Sequence, residues 1–393
     1  MTTTPSPFTA RQTTAALAIG TLALLMIGLQ PILLGELVAQ KRITLEGVGI
    51  VAMGEIVALG LGVILGDALL PLTRLRGITV IAAVLIAVLD MATARLAGDA
   101  PFAAVRAAAG VVEGVLVWVT TCVIVRSPMP DRLASIFLVA QTLAQAAVAA
   151  VLALLVIPRG GWPAGFVALA VLSLLPLLLA GALPPRVPPL VASGSQRPPL
   201  TMATVLTLAV VFLQMAAIGS LWAFLEPLGR DAGFDGEAAQ TVISGVLVMQ
   251  VIGGVCAALV VRRWLAGPTL LAASVLLMAV ALAIHLLAAP ATMRFALLCA
   301  AFGFAWLFLM PFHIRLAFRA DAAGRVAVLV PAMQLMGSAF GPLVASLIVT
   351  GDDARPVPLV CASFAVLGAV ALLALRFSAE PRASPTAASA PRS

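Results

Sequence analysis

Charge is what this chain has least of. Charged residues make up 10% of its 393 positions, where a soluble globular domain carries roughly 25%. That shortage excludes a polar surface large enough to keep the folded chain in water. No polar stretch is long enough for a separate soluble domain, so a sensor or scaffold with an output domain has no room here. The four cysteines, Cys122, Cys256, Cys299 and Cys361, fall on four different apolar stretches without metal-ligand spacing. They read as small packing residues, and neither a metal nor a cofactor is expected. A membrane-embedded lipid-modifying enzyme would need a nucleophile, converging acids or a metal cluster near one membrane face. Asp352 and Asp353 are adjacent in a loop, and adjacent side chains converge poorly on one ligand.

What the chain has in excess is apolar length. Hydrophobic residues are 62% of the total and the mean hydropathy is +1.16. Six apolar stretches lie at 13–39, 44–70, 77–98, 101–126, 131–157 and 162–184, and six more at 201–228, 237–264, 266–289, 291–318, 322–350 and 356–377. Each is near the ~20 residues a helix needs to cross a hydrocarbon core. An open sheet cannot cross, because its unpaired backbone groups find no water there. The expected fold is therefore an all-α integral membrane protein with twelve transmembrane helices. The first stretch is too long and too late for a cleaved signal peptide and lacks a strong basic leader, so it is expected to remain as a span.

Orientation follows from Lys and Arg in the short loops. With the N-terminus inside, fifteen fall on the inner side and seven on the outer, with Arg106 left within a span. This bias places both termini in the cytoplasm and accounts for the net charge of +7, which is topology rather than a nucleic-acid footprint. The longest connection runs through Pro184, Pro185, Pro188, Pro189, Gly194, Pro198 and Pro199, the composition of a semi-rigid linker. The expected division is a six-helix bundle over 1–184, a cytoplasmic linker over 185–200, a second six-helix bundle over 201–377, and a disordered tail over 378–393.

Six plus six helices about a cytoplasmic linker, with both ends inside, resembles the major facilitator superfamily of secondary transporters over the whole chain. That family carries a Gly, an Asp and a basic cluster between spans two and three. This chain has Gly62, Gly66, Asp67, Arg74, Arg76 and Gly77 in a stretched version, and Arg262, Arg263, Trp264 and Gly267 as a partial repeat between spans eight and nine. Arg106, Gly110 and Gly114 match the family's Arg with spaced glycines in span four, while the Gly-Pro antiporter signature is missing from span five. The resemblance implies two pseudo-symmetric bundles, alternating access around a central site, a monomer, and a conformational role for Asp67, Arg74, Arg76, Arg262 and Arg263. The glycines of span two, from Gly47 to Gly66, suit either sliding or plain packing, and Gly337, Gly341 and Pro342 in span eleven suit close packing with a kink.

Ionisable residues within the spans carry the chemistry, since a charge near the bilayer centre costs at least a few kcal/mol unless paired, hydrated or neutralised. Glu36 and Arg106 lie about one turn from the outer ends, Asp90 about two, and Glu55 and Glu113 about three. Arg106 and Glu113 are seven apart and share a helical face. The economical arrangement pairs Arg106 with Asp90 or Glu36 and leaves a proton on Glu55 or Glu113, which is the hardware of proton coupling. A buried network that never titrates, or acids that ligate a cationic substrate, are the alternatives. Glu226, in span seven, matches Glu36 and suits an outer gate or a solvated cap. Gln30 and Gln214 are expected to be polar cavity groups, because the first helix of each half lines the path in the resembled fold. Phe212, Trp222, Phe224, Phe295, Phe302, Phe304, Trp306, Phe308 and Phe312 are spread around spans seven and ten, so several should meet lipid and the rest form an apolar wall. His285 is expected at the interface, and His313 to anchor a loop. Together these point to a bacterial inner-membrane transporter of a small amphipathic or aromatic solute, coupled to protons or running as an uncoupled facilitator or exchanger.

Overall fold

The computed structural model describes residues 8–187, 201–322 and 325–378. Most of the predicted linker and all but the first residue of the predicted tail lie outside them. The described residues fold as helices throughout. The first half holds span one (Ala10–Ala39), two (Leu45–Leu69), three (Leu75–Thr93), four (Asp99–Ile124), five (Pro130–Val151, continued by a π-helical turn over Leu152–Val156) and six (Ile157–Leu172 with Leu175–Ala180). The second holds span seven (Met202–Trp222 with Leu225–Asp231), eight (Gly236–Val260), nine (Ala266–His285), ten (Thr292–Ala320), eleven (Val330–Ile348) and twelve (Val357–Ser378).

Judged by length and apolarity alone, the helices give eleven crossing segments, because Arg132–Ala180 runs as one 49-residue stretch. The chain reverses inside that stretch at Gly161, where φ is 66°, a backbone region that glycine enters without penalty. The stretch is therefore spans five and six joined by a minimal turn. Residues 157–160 thus end span five, and span six proper starts after Gly161, where the apolar pattern puts it. Span seven runs past its predicted end, to Asp231, after a break at Phe224.

Polar caps start four of the spans. Thr9 and Gln12 form a reciprocal capping box at span one, Thr44 accepts from the Gly47 amide at span two, Thr201 from Thr204 at span seven, and Asp235 from Ala238 at span eight. Each supplies an acceptor to an otherwise orphaned amide. Spans one and two are thus started like spans seven and eight, one sign of the repeat between the halves. Another is packing: Gly114 of span four meets the backbone of span two at Gly62, as Gly303 of span ten meets span eight at Val246. Side chains that a soluble protein would hide point outward, such as Leu178 at 80% and Leu347 at 75% exposure, as expected when lipid is the solvent.

Candidate functional site

One buried cation organises the first half. Arg106 is the largest fully buried side chain. Its Nη1 donates to Asp90 of span three at 2.7 Å, and its Nη2 donates to Glu113 of span four at 3.0 Å and to Glu55 of span two. Exposures are 0% for Arg106 and Glu55, 2% for Asp90 and 4% for Glu113, so water screens none of these charges.

Close backbone contact makes the cluster possible. Gly110 sits one turn from both Arg106 and Glu113, and a methyl group there would run into the carbonyl oxygen of Glu55. Glycine thus lets spans two and four approach until their long charged side chains converge. The glycines of span two divide accordingly. Gly62 and Gly66 pack on span four and Gly49 on span eleven, while Gly60 meets nothing within 4 Å.

The three acids are unequally supported. Asp90 also accepts from Ser173 Oγ at 3.1 Å, and Glu55 from Gln30 Nε2 at 3.3 Å, so each engages both of its oxygens. Glu113 engages Oε1 alone, and its Oε2 is buried without a partner. A cavity of about 10 Å³ touches Asp90, Glu113 and Ser173, room for about one water molecule. One guanidinium among three carboxylates is neutral only when two of the acids are protonated.

Of the two predicted partners for Arg106, Asp90 is bound and Glu36 is not. Glu36 lies at the far end of span one, where its Oε2 accepts from Arg230 Nη2 and Gln240 Nε2, both at 3.3 Å, from the opposite half. Arg230 also holds Glu226, one turn earlier on its own helix. Glu36 and Glu226 therefore belong to one seal across the halves. On the same side, Gly351 donates to Glu46 Oε1 at 3.0 Å and Gly49 packs against Pro342 and Ser346.

Between the halves, toward the face on which spans one and seven begin, lies a cavity of about 300 Å³. It reaches Phe137 and Pro331, within two turns of the starts of spans five and eleven. Trp222 and Trp306 meet edge to face in its wall with ring centroids 5.2 Å apart, and Trp222 Nε1 donates across the halves to Ile27 O at 3.1 Å. Its polar lining is amide and hydroxyl: five glutamines (Gln30, Gln141, Gln145, Gln250 and Gln334), Thr142 and Ser338. No acidic or basic side chain lines it. Gln141 Oε1 and Gln250 Nε2, one on each half, are buried and unpartnered. Gln30 belongs to this wall and to the Arg106 cluster together, through Glu55.

Several expectations need correction. Gln214 does not line the cavity. It is buried in the second half, donating to Leu270 O at 2.9 Å and Ser274 Oγ at 2.7 Å and pairing with His313 at 2.7 Å. His313 is buried and anchors no loop; its other ring nitrogen meets Gln334 at 3.1 Å, behind the cavity wall. Of the nine aromatics named on spans seven and ten, Phe212, Phe304, Trp306 and Phe308 are half-buried and the other five are buried, while Phe318 of span ten is 49% exposed. Asp67 accepts from Trp118 Nε1 at 3.2 Å, and Arg76 donates twice to Leu183 O, at 2.7 and 2.9 Å. Arg74, Arg262 and Arg263 are exposed, and their side chains form no hydrogen bond or ion pair among the described residues; Arg315 of span ten holds the loop after span eight, through Val261 O and Trp264 O. Gln141, Gln145, Gln250, Gln334 and Arg230 had not been singled out. An amide inside an apolar span, the signal that marked Gln30, marks the four glutamines too.

No family model matches the sequence, and neither does any curated protein. Solved structures do. The nucleoside transporter NupG superposes with a TM-score of 0.70 at 15% identity, over 93% of this chain and 99% of that one. The xylose transporter XylE from E. coli, partially occluded and inward open, gives 0.70 at 14%, over 94% and 100%. A bacterial homologue of the human lysosomal transporter Spinster, inward-facing and occupied, gives 0.70 at 13%, over 95% and 98%. The chain has the major facilitator fold. All three of these neighbours are transporters, and the superposition spans both halves of the chain. Within this fold the seal joins the two halves on one face, and the cavity lies between them on the other.

Proposed function

We propose that the protein is a secondary-active transporter of a small, uncharged, amphipathic solute, coupled to protons through the Arg106 cluster. The observation that carries this reading is Gln30, which faces the cavity and donates to Glu55 of the cluster. A cavity without an ionised side chain gives a charged solute no counter-charge for the water it would lose. Two tryptophans supply a flat apolar face, and the free Gln141 acceptor and Gln250 donor supply hydrogen-bonding edges.

Within the cluster, Glu113 is the acid that exchanges its proton, because it has the least hydrogen-bond support as an anion. A solute that draws the Gln30 amide toward itself loosens the Gln30–Glu55 bond. Glu55 then takes a larger share of Arg106, and Glu113 is left to hold or release a proton. Alternating access opens the seal at Glu36, Glu226 and Arg230 and closes the opposite face. The division of labour follows the predicted boundaries: a bundle over 1–184 that carries the proton, a linker over 185–200, a bundle over 201–377 and a tail over 378–393. Both termini are cytoplasmic, the membrane is the bacterial inner membrane, and the working unit is a monomer.

The test uses proteoliposomes loaded with a pH-sensitive dye and a panel of neutral heteroaromatic, cationic and anionic solutes. Neutral solutes should drive a proton flux that disappears in Glu113→Gln. Solute uptake without proton movement would establish a facilitator, and a response confined to charged solutes would refute the cavity reading.

A further inference from the structure

A second large cavity lies in the second half, away from the central one. It holds about 360 Å³ and is enclosed by the starts of spans seven and nine and the ends of spans ten and twelve, on the face where spans one and seven begin. Leu265, Leu316, Leu372 and Leu375 make its walls apolar. Arg319 and Arg376 also line it; both are exposed, and neither side chain forms a hydrogen bond or ion pair among the described residues. Among the described residues no acid lines it, and Asp321, two residues from Arg319, is bound by Arg325 at 2.9 Å.

Thr207 is the independent sign of a ligand. It is 0% exposed, it lines this cavity, and its hydroxyl has no partner. A helical threonine ordinarily satisfies itself on the carbonyl four residues back, as Thr269 does on Leu265 O at 2.8 Å beside the same cavity. A buried hydroxyl without a partner is unfavourable unless something supplies one. Span nine also starts here without a side-chain cap, adding the partial positive charge of a helix start.

We propose that this cavity is a binding site for the headgroup of an anionic phospholipid. The phosphate sits between Arg319 and Arg376, a headgroup or ester oxygen takes the Thr207 hydroxyl as donor, and the acyl chains lie along the leucines. The apolar walls favour a lipid over a soluble phosphate, as does the rim, where Leu265 is 61% and Trp264 51% exposed.

Thermal unfolding of the purified, lipid-stripped full chain, followed by tryptophan fluorescence, tests this with three probes: phosphatidylglycerol, phosphatidylcholine and inorganic phosphate. Phosphatidylglycerol should raise the unfolding midpoint saturably, and phosphatidylcholine should not. The double variant Arg319→Gln/Arg376→Gln should need roughly thirtyfold more phosphatidylglycerol, the effect of losing two basic contacts to an anionic headgroup. Arg11→Gln/Arg132→Gln, which removes the same charge from the same face of the first half, should leave the response unchanged. Thr207→Val should weaken the response while being no less stable without lipid. Equal responses to the two lipids, equal losses in the two double variants, or a full response to inorganic phosphate would each overturn the proposal.

Discussion

Replacing Glu113 and replacing Arg106 should have very unequal consequences for stability, although the two side chains touch. Among the described residues, Arg106 is the one cation paired with the three buried acids. In Arg106→Gln those acids lose their counter-charge, and removing one partner of a buried ion pair costs about 3–5 kcal/mol. Even if all three acids take up protons, the buried donors that joined spans two, three and four are gone. Glu113→Gln is a different perturbation. If Glu113 is a neutral acid in the folded protein, glutamine is close to an isostere: its Oε1 still accepts from Arg106 at 3.0 Å, and its amide takes the place of the partnerless Oε2. The change should then stay within about 1 kcal/mol, because no ion pair is broken. If Glu113 is an anion held by Arg106, the same substitution should approach the cost of the arginine variant. Equilibrium unfolding of both variants in one detergent separates the cases. A Glu113→Gln loss comparable to that of Arg106→Gln would show a fully ionised structural network and refute the assignment of the exchanging proton. If the reasoning holds, the stable Glu113→Gln protein should bind solute and move no protons.

Gln30→Leu should leave solute uptake measurable while lowering the number of protons moved per solute, because the cavity keeps its shape and loses its bond to Glu55; an unchanged ratio in proteoliposomes would remove the link. Gly110→Ala should destabilise by about 1–3 kcal/mol by pushing span four off Glu55. Gly60→Ala, which meets nothing within 4 Å, should stabilise by about 0.5–1 kcal/mol through helix propensity, so chemical denaturation should give opposite signs. Arg230→Ala strips the seal of its cation and should shift the population toward an open outer face. Spin labels at Lys41→Cys and Glu237→Cys, in a background without the four native cysteines, should report longer distances, and an unchanged distribution would mean that the seal is held by packing alone.

The fold was legible because lipid imposes a simple rule. Any crossing segment must satisfy its own backbone, so apolar length alone counts the spans, and a count misleads only where a turn is too short to leave a polar gap, as at Gly161. The cluster was half legible. Its four members stand out as ionisable residues in apolar helices, and the spacing of Arg106 and Glu113 places them on one face. The third acid, however, depends on how near spans two and four come, and Gly110 settles that only once its neighbour is known to be the carbonyl of Glu55. Between Asp90 and Glu36, the two candidate partners of Arg106, the choice stayed open for a related reason. Depth in the membrane is readable from sequence, but azimuth is not, and Glu36 lies on the side of span one that meets Arg230 and Gln240 of the other half. Gln214 shows the same limit. A polar residue on the first helix of a half can line the path or bind inward, and the carbonyl of Leu270 and the hydroxyl of Ser274, both outside any local sequence pattern, draw it inward. Of the two first-helix glutamines, only Gln30 therefore joins the cavity to the buried cluster, so the halves are repeats in packing but not in chemistry. The first half has a buried charge cluster tied to the cavity through Gln30, while in the second Gln214 pairs with His313. An asymmetry of that kind suits the proposed coupling through the first half.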